Sequence, residues 1–269
     1  MTVNLPHANG LEPAPPSHPS GLARMVRPGV PGAGTVVCVH GSLDRSGSFA
    51  RLARRIDGPS IIAYDRRAYQ GSRSLPARPE LDVHVDDLLE IVAGVAGDGP
   101  VKVVGHSFGG VVALAAALRA PDGIDFLVLY EPPMPWLSDE PNPFRGTPPT
   151  GPPAAEVEAF FRRMVSDEAW DRLSEHDRAE RIADGEALVA DLTIIRMATP
   201  FSFDQLRGLA VPLMIGIGSK SLSSPSVKVA REVVDLVPSG RIDIIEGAGH
   251  GAHLSHPGRL AELVPNRTA

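Results

Sequence analysis

Ser107 stands in Gly105-His106-Ser107-Phe108-Gly109, a G-x-S-x-G spacing, between an apolar run at 101–104 and an alanine-rich, helix-favouring run at 111–119. Strand, sharp turn and helix in that order put the serine at the apex. Glycines at 105 and 109 remove the side chains that would collide where strand and helix approach the turn. The serine can then take strained backbone angles and present its hydroxyl above the sheet. A serine hydroxyl is a weak nucleophile by itself. It needs a base to take its proton, an acid to orient the base, and N–H donors for the oxyanion that forms. The bare spacing arises by chance in a chain with 27 glycines; the strand before it and the helix after it give it meaning.

The elements that must position such a site follow from the hydrophobic pattern. Continuous apolar or β-branched runs at 35–39, 60–64, 101–104, 126–130, 213–217 and 241–245 alternate with helical patterns at 48–56, 81–95, 226–236 and 257–263. Strands without polar alternation, separated by helices, predict an α/β fold: a mostly parallel, doubly wound sheet of about eight strands, covered on both faces. The rhythm breaks between 132 and 205. A proline-rich stretch at 132–153 precedes helical patterns at 156–165, 168–173 and 178–197. Segments inserted beyond the carboxyl ends of strands stand over the ligand crevice. Residues 133–205 therefore read as a helical lid insertion, the alternative being a helical decoration that only packs on the core. Residues 21–132 and 206–269 form the core. Residues 1–20, with five prolines and no apolar segment, read as a flexible arm and not as a secretory signal.

Composition excludes several classes. The chain has 269 residues, 43% hydrophobic and 22% charged, with net charge −6. It has no clustered basic run for nucleic acid, and Arg24, Arg27 and the group Arg51, Arg54, Arg55 read as solvated faces. No run reaches the ~18 apolar residues of a membrane span. The single cysteine, Cys38, lies in an apolar run and reads as a buried, inert thiol. A reducing, cytoplasmic setting is compatible with that cysteine usage. No metal is expected, because His and Cys show no ligand spacing, and no nucleotide loop is visible. The expected partner is a small-molecule substrate, with a homodimer allowed.

Four ordered motifs carry a resemblance: Val39-His40-Gly41-Ser42 after the first core strand, Tyr64-Asp65-Arg66-Arg67 after the next, the Ser107 turn with Gly110, and Gly247-Ala248-Gly249-His250 after the last strand. Together they span about residues 30 to 265, and the chain resembles the α/β-hydrolase superfamily. The resemblance implies His250 as the base, in a loop at the carboxyl edge of the sheet, with His253 and His256 as rivals read as surface or supporting residues. His84 and His176 sit in helical patterns and read as exposed. His40 and His106 flank the pocket, in packing and hydrogen-bonding roles.

The acid departs from the commonest family pattern. The loop Gly218-Ser219-Lys220-Ser221-Leu222-Ser223-Ser224-Pro225 carries no carboxylate. Glu131, at the end of the strand 126–130, keeps the order serine, acid, histidine. The alternative is that Glu131 only begins the insertion's linker. Asp65 is the other strand-end carboxylate, read as pinning the Arg66/Arg67 loop. The oxyanion hole would come from the backbone N–H groups of Ser42 and Phe108, to which the Ser42 hydroxyl could add a bond. Met134, Trp136, Leu137, Phe144, Phe160, Phe161, Met164 and Trp170 of the insertion suggest an apolar substrate group.

A serine nucleophile implies acyl transfer. Relatives that open epoxides or displace halide carry aspartate at that position, and dienelactone chemistry favours cysteine. Carboxylic ester hydrolysis is the expected reaction. Thioester, lactone or carbon–carbon hydrolysis, perhydrolysis and iminopeptidase activity share the machinery. The reading from another class is a non-catalytic small-molecule receptor on the same fold.

Overall fold

Strands that read as unbroken apolar runs become the centre of the sheet, where both faces are covered. A computed structural model describes residues 10–14 and 20–265. Its strands are β1 (Glu12–Ala14), β2 (Arg24–Arg27), β3 (Thr35–Val39), β4 (Ser60–Tyr64), β5 (Val101–His106), β6 (Phe126–Tyr130), β7 (Leu213–Gly218) and β8 (Arg241–Ile245). They form one eight-stranded sheet in the order β1-β2-β4-β3-β5-β6-β7-β8. From β4 to β8 every neighbouring pair is parallel. β1 and β2 are antiparallel additions at one edge. Every residue of β3 and β5 is buried.

Successive side chains of a strand point to opposite faces, and the core divides accordingly. Val37, Val39, Val103 and Leu129 belong to one apolar cluster, and Val36, Cys38, Val104 and Val128 to the other. The first layer is built by α2 (Leu81–Ala93), α3 (Phe108–Arg119) and α9 (Pro225–Leu236); the second by α1 (Ala50–Ala53), α10 (Ala252–Ser255) and α11 (Pro257–Ala261). In α2, Val85, Leu88, Ile91 and Val92 are buried, the spacing of one helical face. Between β6 and β7 lie α4 (Pro153–Met164), α5 (Asp167–Asp171), α6 (Glu175–Ile182), α7 (Gly185–Met197) and α8 (Phe203–Arg207). Among the described residues no helix is long and apolar enough to cross a membrane.

Three local readings change. Arg27 is not on a solvated face: β2 was hidden by its short, charge-flanked sequence, and the Arg27 guanidinium is buried, donating to the Ala53, Ile56 and Pro59 carbonyls. The helical pattern at 178–197 is two helices. Asp184 breaks it by accepting from Gln70 N–H (3.0 Å) and Arg73 Nε (2.7 Å), which ties the break to the core. Glu12–Ala14, inside the segment expected to be an arm, pairs with β2; 1–9 and 15–19 lie outside the described residues. Cys38 is buried as expected, and burial pushes its thiol up to about 12.

Candidate active site

The turn at Ser107 is strained in the way its glycines permit. Ser107 has φ +51° and ψ −125°, outside the regions non-glycine residues favour. A Cβ on Gly105 would lie 2.6 Å from the Gly110 Cα, and one on Gly109 only 2.2 Å from the Val39 carbonyl oxygen. Strand β3, the turn and α3 therefore approach as closely as bare backbone allows. The Ser107 N–H donates to the Tyr130 carbonyl at 2.9 Å, tying the turn to β6.

Glu131 follows Tyr130 and also has a positive φ, +46°. Its Oε2 lies 2.7 Å from His250 Nδ1, and its Oε1 accepts from Gly218 N–H at 2.9 Å. The carboxylate thus bridges the carboxylate-free loop after β7 and the histidine loop after β8. Burial alone would raise its pKa; the hydrogen bonds from His250, Gly218 and Ser221 outweigh burial and hold it below the ordinary value. Burial, joined by the neighbouring His106, outweighs the raising effect of Glu131 and holds the His250 pKa below its ordinary value, which favours the neutral imidazole. With Nδ1–H directed at Glu131, the lone pair is on Nε2. Ser107, Glu131 and His250 line one cavity of about 420 Å³. The three residues that the sequence singled out are brought together.

The amides expected to form the oxyanion hole are oriented by separate devices. Phe108 is the first residue of α3, where N–H groups have no intrahelical acceptor. At the other side, burial and then the Arg66 charge push His40 down to about 4, so its ring is neutral. His40 Nε2 accepts from Arg66 N–H at 2.8 Å, leaving Nδ1–H to donate to the Gly41 carbonyl at 2.7 Å. Arg66 Nη2 donates to the same carbonyl at 3.2 Å. In a trans peptide the N–H opposes the C=O, so the Ser42 N–H points away from this cluster. The Ser42 hydroxyl is not available to the hole: it donates to Asp191 Oδ2 at 2.8 Å.

Sequence reading missed the network behind that bond. Asp191 on α7 receives Arg66 at 2.6 and 3.0 Å and the Tyr69 hydroxyl at 2.7 Å, all fully buried. These residues lie far apart in the chain, and Asp191 sits in a helical pattern as an ordinary polar position. Asp65 holds the Arg66/Arg67 loop by accepting from Gly71 N–H (3.1 Å), and it also ties in the preceding loop by accepting from Ser46 N–H (2.8 Å). His84 is not exposed; it is 2% accessible and packs edge-on against Phe108 with centroids 5.9 Å apart. His176 is exposed as expected. His253, a rival base, is buried 3.2 Å from Asp44 Oδ2, and His256 contacts the Ser255 hydroxyl.

Of the eight apolar insertion residues, only Phe160 and Met164 line this cavity; Leu192, Ile195, Ile217 and Val227 add to its apolar wall. Phe161 and Trp170 instead pack against Leu188, and Met134 and Leu137 belong to the sheet's own core. Phe144 is exposed.

An eight-stranded, mostly parallel sheet with a glycine-flanked serine beside a carboxylate–histidine pair is the arrangement of one large class of proteins. The chain belongs to the alpha/beta hydrolase family, whose model matches residues 36–263. It is 38% identical over 107 residues to Lipase LipV of Mycobacterium tuberculosis, a match covering 39% of this chain and 40% of that protein. It is 30% identical over 239 residues to Polyketide synthase ThaQ of Burkholderia thailandensis, covering 84% of this chain and 11% of that protein. The chain thus spans well under two thirds of these curated relatives. Among solved structures, an esterase (EaEST) from Exiguobacterium antarcticum superposes with a TM-score of 0.65 at 19% identity, covering 91% of this chain and 95% of that one.

Proposed function

We propose that the protein is a serine hydrolase that cleaves a carboxylic ester of a small, apolar substrate through an acyl-enzyme. The observation that carries this reading is the 2.7 Å His250–Glu131 contact beside a strained Ser107 in one cavity. Ser107 Oγ attacks the ester carbonyl while His250 Nε2 takes its proton. The oxyanion is held by the N–H groups of Ser42 and Phe108, and losing one such donor typically costs about 3 kcal/mol of transition-state stabilisation. The carbon–alkoxide bond breaks as His250 returns the proton to the leaving alcohol. Water, activated by the same imidazole, then releases the acid and frees Ser107. Glu131 keeps the imidazole in the productive tautomer. The helices between β6 and β7 serve as the lid, with Phe160 and Met164 of α4 and Leu192 and Ile195 of α7 facing the acyl chain. The similarity to proteins named lipase and esterase supports this reaction type.

A fluorophosphonate probe tests the chemistry. Rapid covalent labelling of Ser107 is expected, abolished in Ser107→Ala with the fold retained. Reversible ligand binding without labelling would instead mean a receptor.

The cavity wall sets a second expectation. Each buried methylene contributes about 0.8 kcal/mol, roughly a fourfold gain in kcat/KM per carbon. In a p-nitrophenyl ester series, kcat/KM is expected to climb from acetate through medium-length chains. A maximum at acetate would contradict the assignment of the apolar wall to the acyl group.

A further inference from the structure

A second cavity, of about 290 Å³, also reaches Ser107 and His250, and its wall includes Asp44, His106 and His253. None of these three has a part in the proton transfers above. Asp44 Oδ2 lies 3.2 Å from His253 Nε2 and 3.6 Å from His106 Nδ1. All three donor atoms fall within 4.8 Å of one another. His253 is 1% and His106 7% accessible.

Hydrogen bonding accounts for only part of this cluster: the Ser48 hydroxyl donates to Asp44 Oδ2 at 3.2 Å. His106 Nε2 lies 2.9 Å from the His250 carbonyl, which can only accept, so the ring proton is on Nε2 and the lone pair on Nδ1. A lone pair then faces a carboxylate oxygen with no proton between them. Neither His253 nitrogen makes a hydrogen bond among the described residues, even though Asp44 Oδ2 is 3.2 Å away, because the oxygen lies off the direction of the nitrogen. Two buried imidazoles thus stand against a carboxylate with no aligned hydrogen bond from either ring to it. Ligands held about 2.1 Å from a tetrahedral Zn²⁺ are about 3.4 Å apart, close to the two spacings from Asp44 Oδ2, 3.2 and 3.6 Å. The His106 Nε2–H bond to a backbone carbonyl is the support that orients a metal-bound imidazole.

We propose that Asp44, His106 and His253 bind a divalent transition-metal ion of borderline softness, such as Zn²⁺, with a fourth position open to the cavity beside Ser107. Two imidazoles and one carboxylate suit such an ion better than Mg²⁺ or Ca²⁺, which prefer oxygen ligands. The sequence gives no metal-ligand spacing because the set is gathered from three distant places, the loop after β3, the end of β5 and the short helix α10. Occupancy would reach the catalytic centre through His106, which holds the His250 carbonyl.

The test is Co²⁺ titration of the full chain after chelator dialysis. One equivalent is expected to bind with visible d–d absorption and to be displaced by Zn²⁺. Binding should weaken at least tenfold in Asp44→Asn and His253→Gln, each checked for native circular dichroism, and persist in Ser107→Ala and in His256→Gln. Should both site variants unfold, X-ray absorption at the zinc edge of the loaded wild-type protein decides, with two imidazole nitrogens and a carboxylate oxygen expected. No binding by the folded wild type, binding undiminished in both folded site variants, loss in His256→Gln, or a ligand shell without two imidazoles would overturn the proposal.

Discussion

Glu131→Gln is expected to lower kcat about 10⁴-fold while leaving the fold intact, the scale seen when a triad acid becomes an amide. The carboxylate uses both oxygens as acceptors, one for His250 Nδ1–H and one for Gly218 N–H. A glutamine offers one oxygen and one NH₂. If the oxygen serves Gly218, the NH₂ faces His250 and forces the imidazole proton onto Nε2, where it cannot accept from Ser107. If the oxygen serves His250, two N–H donors oppose each other at Gly218, an unmade bond that costs about 1–3 kcal/mol. Steady-state hydrolysis of p-nitrophenyl butyrate, with circular dichroism as the control, checks this. Near-normal turnover in the folded variant would remove Glu131 from the mechanism.

Asp191→Ala carries the second large effect, on stability. It strands the Arg66 guanidinium, which is 1% accessible, beside Tyr69 and Ser42. Breaking a buried pair by removing one partner costs about 3–5 kcal/mol, or roughly 6–20 °C in Tm for a chain of this size. The double variant Arg66→Met/Asp191→Leu should recover much of the loss, since an apolar pair of similar volume leaves no buried charge. The pair also predicts an acid limit. Burial pushes the Asp191 carboxyl up, but Arg66 outweighs it and holds the pKa below the ordinary value. A carboxyl depressed in the folded state contributes fully above its unfolded pKa of about 4, and the contribution fades as pH falls through the lower folded value. Differential scanning calorimetry of wild type and variant between neutral pH and pH 3 should show their Tm values converging at the acid end. A constant difference would mean that the pair does not titrate.

How far the sequence carries depends on whether the signal is local. The six long apolar strands, the turn at Ser107 and the glycines at 105 and 109 are legible because each depends on neighbours within a few residues. Glu131 stands out only through the family resemblance, which asks for an acid after a strand: the loop 218–225 holds no carboxylate, and one directly follows β6. β2 escapes because four residues between charges give too short a pattern, and its buried Arg27 reads as surface until the Ala53, Ile56 and Pro59 carbonyls are seen around it. His84 escapes because a histidine on an amphipathic helix does not disclose that the ring of Phe108 waits behind it. Ser42, Arg66, Tyr69 and Asp191 converge only through tertiary packing. The insertion's aromatics divide between cavity wall and helix packing on grounds that periodicity does not contain.

The residues just before Ser107 and Glu131 have a mechanical consequence. His106 and Tyr130 are paired neighbours across β5 and β6. Each reaches over to hold one carbonyl of the histidine loop, His106 at His250 (2.9 Å) and Tyr130 at Gly249 (2.8 Å). The loop is thereby clamped by the last rung of two inner strands of the sheet, and core strands are the part of a protein that opens last. Inactivation by heat or urea should therefore coincide with collapse of the whole molecule, with no folded but silent form preceding it.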